Sequence, residues 1–239
     1  MFLFDLRENW DSARYVKFLE YLVSLQDMEY KEFQGRLVPN SRYEIIGIRT
    51  PIMKSIAKEI SRGDVAGFLE CAQNNYYEEV MIKGFVISHI RDEDAFYLYF
   101  KSYINLIDNW ALCDSFCSSV KIVKKFEAKY FEKCLQLCLD KSEFVARIGL
   151  VMILNHFISR KNLLQIFQTL NRIEIQEFYV NMAMAWLVSE LYIKFPGDTE
   201  VFLKDNNMNR FTQNKAICKI GDSHRVDAED KFKLRKYKK

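Results

Sequence analysis

Four residues stand out as able to do chemistry: Trp110, Asp114, Arg147 and Trp186. The first two lie in Asp108-Asn-Trp110-Ala-Leu-Cys-Asp114, four positions apart, so on a helix they share one face. Taken alone, Trp110 reads equally as a core aromatic beside a helix start that Asp108 caps. Arg147 is the single charge in Phe144-Val-Ala-Arg147-Ile-Gly-Leu-Val-Met-Ile-Leu154. A charge on a mostly buried helix needs a partner or a functional reason. Trp186 sits in mid-helix, within Phe178-Tyr-Val-Asn-Met-Ala-Met-Ala-Trp186-Leu-Val-Ser-Glu190. Asp114, Arg147 and Trp186 are spaced 33 and 39 residues apart, close to one helical pair each. Where helix pairs stack as repeats, equivalent helices line one concave surface, and two indoles, a carboxylate and a guanidinium converge there. The chain has no His-x-x-x-His pair, P-loop or Gly-x-Gly-x-x-Gly fingerprint. The chemistry on offer is that of charge and aromatic faces.

The elements that must position these residues are helices. In 239 residues there are only eight Gly and three Pro, too few punctuators for a turn-rich sandwich or barrel. With 49% hydrophobic and 15% aromatic residues, the chain is rich enough to pack a core. Helical periodicity recurs over 12–26, from Thr50-Pro51 to Ile60, and over 64–74, 77–90, 92–107, 109–120, 123–139, 142–158, 160–171, 174–195, 198–204 and 210–220. Thr50 is placed to cap its helix, with Pro51 in the first turn. The connections are short and the apolar arcs wide, as in Met81-Ile82, Phe85-Val86 and Ile90, so each helix needs neighbours on both sides. The expected fold is all-α, a HEAT-like helical-repeat solenoid, C-shaped with a concave basic face. The expected organisation is a single domain over 1–230 and a basic tail over 231–239.

The six cysteines, at 71, 113, 117, 134, 138 and 218, are expected to be reduced thiols. Cys113/Cys117 and Cys134/Cys138 fall at four-residue spacing inside helical segments, where Cys packs as a small apolar residue and not on a zinc knuckle. No metal and no cofactor are expected. Asp5, Arg7, Glu8 and Asp11 break up the opening of the chain, and no apolar run is long enough for a membrane span, so a soluble cytoplasmic protein is expected. The net charge is +3, yet six of the 35 basic groups lie in the last nine residues without an acid, leaving the rest slightly acidic. That tail reads as solvated and frayed, or as an accessory contact to phosphates. Any nucleic-acid surface must therefore segregate its cations onto one face.

Several stretches resemble one family in order and at compatible spacing over roughly residues 12–226. Gly47-Ile-Arg-Thr50-Pro51-Ile-Met-Lys54-Ser-Ile-Ala-Lys58-Glu-Ile60 resembles the early signature of the AlkD-like DNA alkylation repair proteins, which are bacterial HEAT-like DNA glycosylases. Asn109-Trp110-Ala-Leu-Cys-Asp114-Ser is similar to that family's Trp-x-x-x-Asp element, Arg147 to its arginine and Trp186 to its second tryptophan. Asn214-Lys215-Ala216-Ile-Cys-Lys219-Ile220 with Ser223-His-Arg225-Val226 resembles its closing helices.

The resemblance implies hydrolysis of the N-glycosidic bond of cationic N3- and N7-alkylated purines in double-stranded DNA, by a monomer. Asp114, Trp110, Trp186 and Arg147 become the expected catalytic residues. Asp114 would stabilise positive charge on the sugar, the indoles would pack on the deoxyribose, and Arg147 would hold a phosphate. The expected DNA contacts are Arg49, Thr50, Lys54, Lys58, Lys121, Lys124, Lys125, Lys215, Lys219 and Arg225, with Lys83 in the same stripe. The alternative is a non-catalytic HEAT-like scaffold that binds nucleic-acid structures or protein.

Overall fold

The computed structural model describes residues 4–239. Among them the chain is all-helical, with fourteen α-helices, four 3-10 turns and no strand. A lone parallel bridge joins Glu44 to Tyr76. The chain gathers into two compact units, one through Ile122 and one from Val123 to Lys239. The division falls in the 3-10 turn Ile122–Lys124, with no linker composition to mark it.

The first unit holds α1 (Ser12–Ser24), α2 (Met28–Leu37), α3 (Thr50–Ile60), α4 (Val65–Cys71), α5 (Tyr77–His89), α6 (Glu93–Tyr103) and α7 (Trp110–Ser119). Within it α3 packs on α5 and α5 on α7, while α4 lies against α1 and α6 against α5. The second unit holds α8 (Glu127–Leu137), α9 (Glu143–His156), α10 (Leu163–Leu170), α11 (Phe178–Lys194), α12 (Pro196–Lys204), α13 (Arg210–Asp222) and α14 (Ala228–Leu234). The same rule repeats there: α9 packs on α11 and α11 on α13, with α8, α12 and α14 against α9, α11 and α13 respectively. Alternate helices thus form a layer in each unit, the helical-repeat packing of a solenoid.

The central layer helices are mostly buried. Eleven of the thirteen residues of α5 are buried, and ten of the seventeen of α11. Gly149 lets α9 approach α8 closely: a Cβ there would stand 2.6 Å from the Cys138 amide nitrogen and 2.9 Å from its Sγ. Cys134 and Cys138 are buried at this crossing, and burial pushes both thiols up. Among the described residues no helix is long and apolar enough to cross a membrane.

Two helices escape the hydrophobic pattern. In α2 only Gln34 is buried, and Met28, Phe33 and Leu37 are exposed, so no apolar stripe announces it. The other is α14, which corrects the expectation of a solvated, frayed tail over 231–239. Leu234 is buried, and the Glu200 carboxylate gathers the Lys233 ammonium at 2.5 Å, the Lys204 ammonium at 3.1 Å and the Tyr237 hydroxyl at 2.8 Å. The Gln213 amide donates to the Tyr237 carbonyl at 2.7 Å, and Lys239 Nζ donates to the Met208 carbonyl at 2.6 Å. The lysines that suggested a solvated tail are in part the groups that dock it.

These contacts, the Lys233 bond first and Tyr237 next, hold the Glu200 carboxyl at about 2, against an ordinary value of 4.5. A carboxylate depressed in the folded state stabilises it above the ordinary value and loses that contribution as pH falls through the folded one. Docking of α14 should therefore weaken progressively between about pH 4.5 and pH 2. Glu200→Gln should lower stability at pH 7 by about 1 kcal/mol, the scale of a partly exposed charged pair, and flatten that acid dependence. Thermal melts of both proteins across this range decide it: parallel curves would show that Glu200 does not carry the docking.

Candidate active site

Trp110 opens α7, and its placement begins with the cap. The cap is Asn109, whose side-chain oxygen accepts the Leu112 N–H at 3.0 Å, and not Asp108 as the sequence suggested. Asp108 is drawn away by stronger donors: the Arg42 N–H at 2.6 Å, the Ser41 hydroxyl at 3.2 Å and the Asn109 amide at 2.7 Å. The segment after α2 is thereby fastened to the start of α7. Trp110 adds to that fastening, for its indole N–H donates to the Leu37 carbonyl at 3.0 Å, the last residue of α2. Both Trp110 and Asp114 are half-buried, one turn apart on α7. The indole edge is thus held in a fixed orientation.

In the second unit, Arg147 is only 5% exposed although it carries a guanidinium. Its Nη1 donates to the Tyr179 carbonyl at 2.7 Å, and its guanidinium carbon lies 5.9 Å from the centre of the Tyr179 ring. Tyr179 is held in turn, its N–H donating to the Glu143 carboxylate at 2.7 Å. Trp186 is half-buried on α11, two turns beyond Tyr179 and one before Glu190.

The chain entering α3 is set by a buried carboxylate. Glu78, wholly buried in the first turn of α5, accepts the N–H groups of Ile46 at 2.9 Å, Gly47 at 2.8 Å and Ile48 at 3.2 Å. Burial lifts its carboxyl above the ordinary value against the pull of those three donors. Helix α3 then starts at Thr50, with Arg49 in the cap position making no side-chain capping bond and Pro51 in the first turn. Thr50 is therefore the first helical residue and not the cap, because proline needs no N–H partner there.

The expected DNA-contacting residues fare unequally. Lys54, Lys58, Lys121, Lys124, Lys125 and Lys215 are exposed, while Thr50 and Lys219 are half-buried. The Arg49 guanidinium is occupied: it pairs with Asp27 at 2.8 Å and lies 5.3 Å from the Tyr30 ring centre. The Tyr30 N–H and this arginine hold the Asp27 carboxyl below its usual range. Arg225 forms a fork on Glu190, at 2.6 and 3.1 Å. Lys83 is half-buried, donates to Asn74 at 3.2 Å, and burial pushes its ammonium down. Spacing could not reveal the carboxylate partners, since Asp27 lies 22 residues from Arg49 and Glu190 lies 35 residues from Arg225.

Placed on the fold, nearly all the singled-out residues fall on the layer helices or at their ends. In the first unit Arg49, Thr50, Lys54 and Lys58 belong to α3, Lys83 to α5, and Trp110 and Asp114 to α7. In the second unit Arg147 belongs to α9, Trp186 to α11, and Lys215 and Lys219 to α13, with Arg225 just beyond it. Lys121, Lys124 and Lys125 lie apart, on the connection between α7 and α8. The family model of the DNA alkylation repair enzymes matches residues 18–220, which includes every layer helix apart from the last two residues of α13. The chain belongs to that family. No curated protein matched the chain in a comparison with known sequences. Membership in the DNA alkylation repair enzymes assigns a role in DNA repair and makes DNA the substrate polymer.

In this family member the hinge on which α3 hangs is Gly47. Its φ of +103° suits glycine alone, and a Cβ would stand 2.6 Å from the Asp27 carbonyl oxygen and 2.7 Å from Lys31 Cβ. Gly47→Ala should therefore cost about 2–3 kcal/mol, strain and collision together. A urea unfolding midpoint equal to that of the wild type would refute the constraint.

Proposed function

We propose that this protein is a DNA glycosylase that hydrolyses the N-glycosidic bond of cationic N3- and N7-alkylated purines in duplex DNA. The observation that carries the reading is the set Trp110, Asp114, Arg147 and Trp186, each on a layer helix, in a chain of the alkylation repair family. A scaffold has no need of that set.

The reaction asks little of the protein in proton transfer. When the C1′–N9 bond breaks, its electron pair goes to the base, which neutralises the alkyl-induced charge. The purine is already a good leaving group, and no general acid is required. The sugar is left with oxocarbenium character, water adds at C1′, and the proton it sheds passes to solvent or to a carboxylate. Asp114 supplies the negative charge that favours this state and a site to orient the water. The indole faces of Trp110 and Trp186 favour positive charge through their quadrupoles. Arg147, planar and permanently charged, is suited to a phosphate oxygen. The exposed lysines of α3 and α13 would follow the DNA backbone without reading sequence.

Single-turnover release of N7-methylguanine from methylated duplex DNA tests the proposal. Wild type should release the free base, and Asp114→Asn, which keeps shape but loses charge, should be slower by about 10²–10³-fold, the scale of one preorganised electrostatic element. Binding to undamaged duplex should be unchanged or slightly tighter in the variant. Equal rates would remove the carboxylate from the mechanism. DNA binding without any release by wild type would hand the protein to the scaffold reading.

A further inference from the structure

Each layer helix of the second unit carries an aromatic residue in its first turn: Phe144 in α9, Phe178 and Tyr179 in α11, and Phe211 in α13. Packing brings these helix starts side by side. Ring centres are 5.4 Å apart for Phe144 and Tyr179, 5.2 Å for Phe178 and Tyr179, and 6.1 Å for Phe178 and Phe211. The result is a row of four rings across three helices. It is open to solvent: Phe178 is 56% and Phe211 46% exposed, far more than core aromatics of this chain. The two most exposed rings, Phe178 and Phe211, meet at 47° with centres 6.1 Å apart, so they are not stacked face to face on one another.

We propose that this row is a stacking platform for unpaired nucleobases of a DNA strand. The inference takes the polymer, DNA, from the family assignment, and it does not depend on glycosidic cleavage. Three observations favour bases over other occupants. Ring spacings of 5.2 to 6.1 Å exceed the 3.4 Å rise of stacked bases, so successive rings suit a strand whose bases are pulled apart, not an intact stack. The charges divide accordingly. Glu177 precedes Phe178, and Glu143 bonds the Tyr179 N–H, which repels phosphates from the middle of the row but not neutral bases. Arg210 and Lys215, both exposed, flank Phe211 and offer a course for the backbone on the α13 side. Finally, the row is tied to a singled-out residue, since Arg147 donates to the Tyr179 carbonyl at 2.7 Å. Aromatic faces with adjacent cations are how proteins hold single strands without sequence preference.

The test compares an undamaged dT homo-oligomer of about twenty nucleotides, enough to cover one typical single-strand site, with a fully paired duplex of equal length. The exposed double variant Phe178→Ala/Phe211→Ala should keep its circular dichroism and melting temperature, yet lose about thirtyfold or more in affinity for dT, the fold-change of at least one kcal/mol for each of two stacked bases. Duplex affinity should change less than twofold, and Phe178→Tyr/Phe211→Tyr should restore dT binding. Equal losses on both probes, no loss on dT, or a wild type that does not bind dT would each overturn the platform. So would concentration-dependent self-association abolished by the alanine variant, because the row would then join copies of this chain. Excision is never read, so an inactive enzyme leaves this outcome intact and a missing platform leaves the glycosylase reading intact.

Discussion

Two adjacent carboxylates in the first turn of α5 govern how the first unit presents its layer. Glu78 and Glu79 are both buried, and their oxygens are bonded to backbone N–H groups and a tyrosine hydroxyl. Glu78 takes the three successive N–H groups of Ile46, Gly47 and Ile48. Glu79 takes the N–H groups of Asn75 and Tyr76, both at 2.8 Å, and the Tyr15 hydroxyl at 2.6 Å. A helix N-terminus favours negative charge, and Glu79 reaching back to the cap is half of a capping box. A buried carboxylate is tolerable only when its oxygens are bonded, so the surrounding backbone has little freedom to stand elsewhere. The segment leading into α3, the segment leading into α5, and α1 are thus registered on one turn. Removing Glu78 would leave three buried N–H groups without their acceptor, and removing Glu79 would strand the buried Tyr15 hydroxyl, which costs more than the bonds were worth.

The regular part of this fold was legible because it follows from periodicity and scarcity. Few Gly and Pro, short connections and wide apolar arcs leave a chain little choice but stacked helix pairs, and the layer helices agree with their expected spans to within a few residues. What escaped has a common physical cause. Helix α2 buries almost nothing apolar, and α14 is held by Leu234 together with ion pairs and hydrogen bonds that involve α12 and α13. Neither carries a stripe that a sequence can display. The choice of Asn109 over Asp108 as cap was equally invisible, since it depends on Ser41 and Arg42 offering Asp108 better donors.

The placement of chemistry-bearing residues on layer helices was legible from spacing; their electrostatic commitments were not. Arg49 and Arg225 look alike in sequence as surface cations, yet each is seated on a carboxylate. Such exposed pairs are worth little in themselves and exchange partners readily. A phosphate approaching Arg225 must compete with Glu190 one turn from Trp186, so the guanidinium is positioned before DNA arrives but partly screened. Under the proposed function, this arrangement and the slightly acidic remainder would hold down general adhesion to nucleic acid. The exposed lysines are left as the main source of long-range attraction.

That division fits a reaction in which the substrate brings its own positive charge. A cationic base needs no proton donor, so rate depends on charges and faces standing in place before the bond breaks. Here the anchoring bonds are made to backbone atoms. Trp110 is held through the Leu37 carbonyl, Arg147 through the Tyr179 carbonyl, and Tyr179 through its own N–H on Glu143. Backbone partners at the ends of packed helices move less than long side chains, and Trp110 makes its bond through the ring edge. An indole fixed by its edge can meet a cationic sugar with its face at no reorganisation cost, whereas one fixed by stacking could not. The anchoring contacts are therefore of the kind that the proposed chemistry requires, and they act at the start of α7, where Trp110 stands, and between α9 and α11, where Arg147 is held.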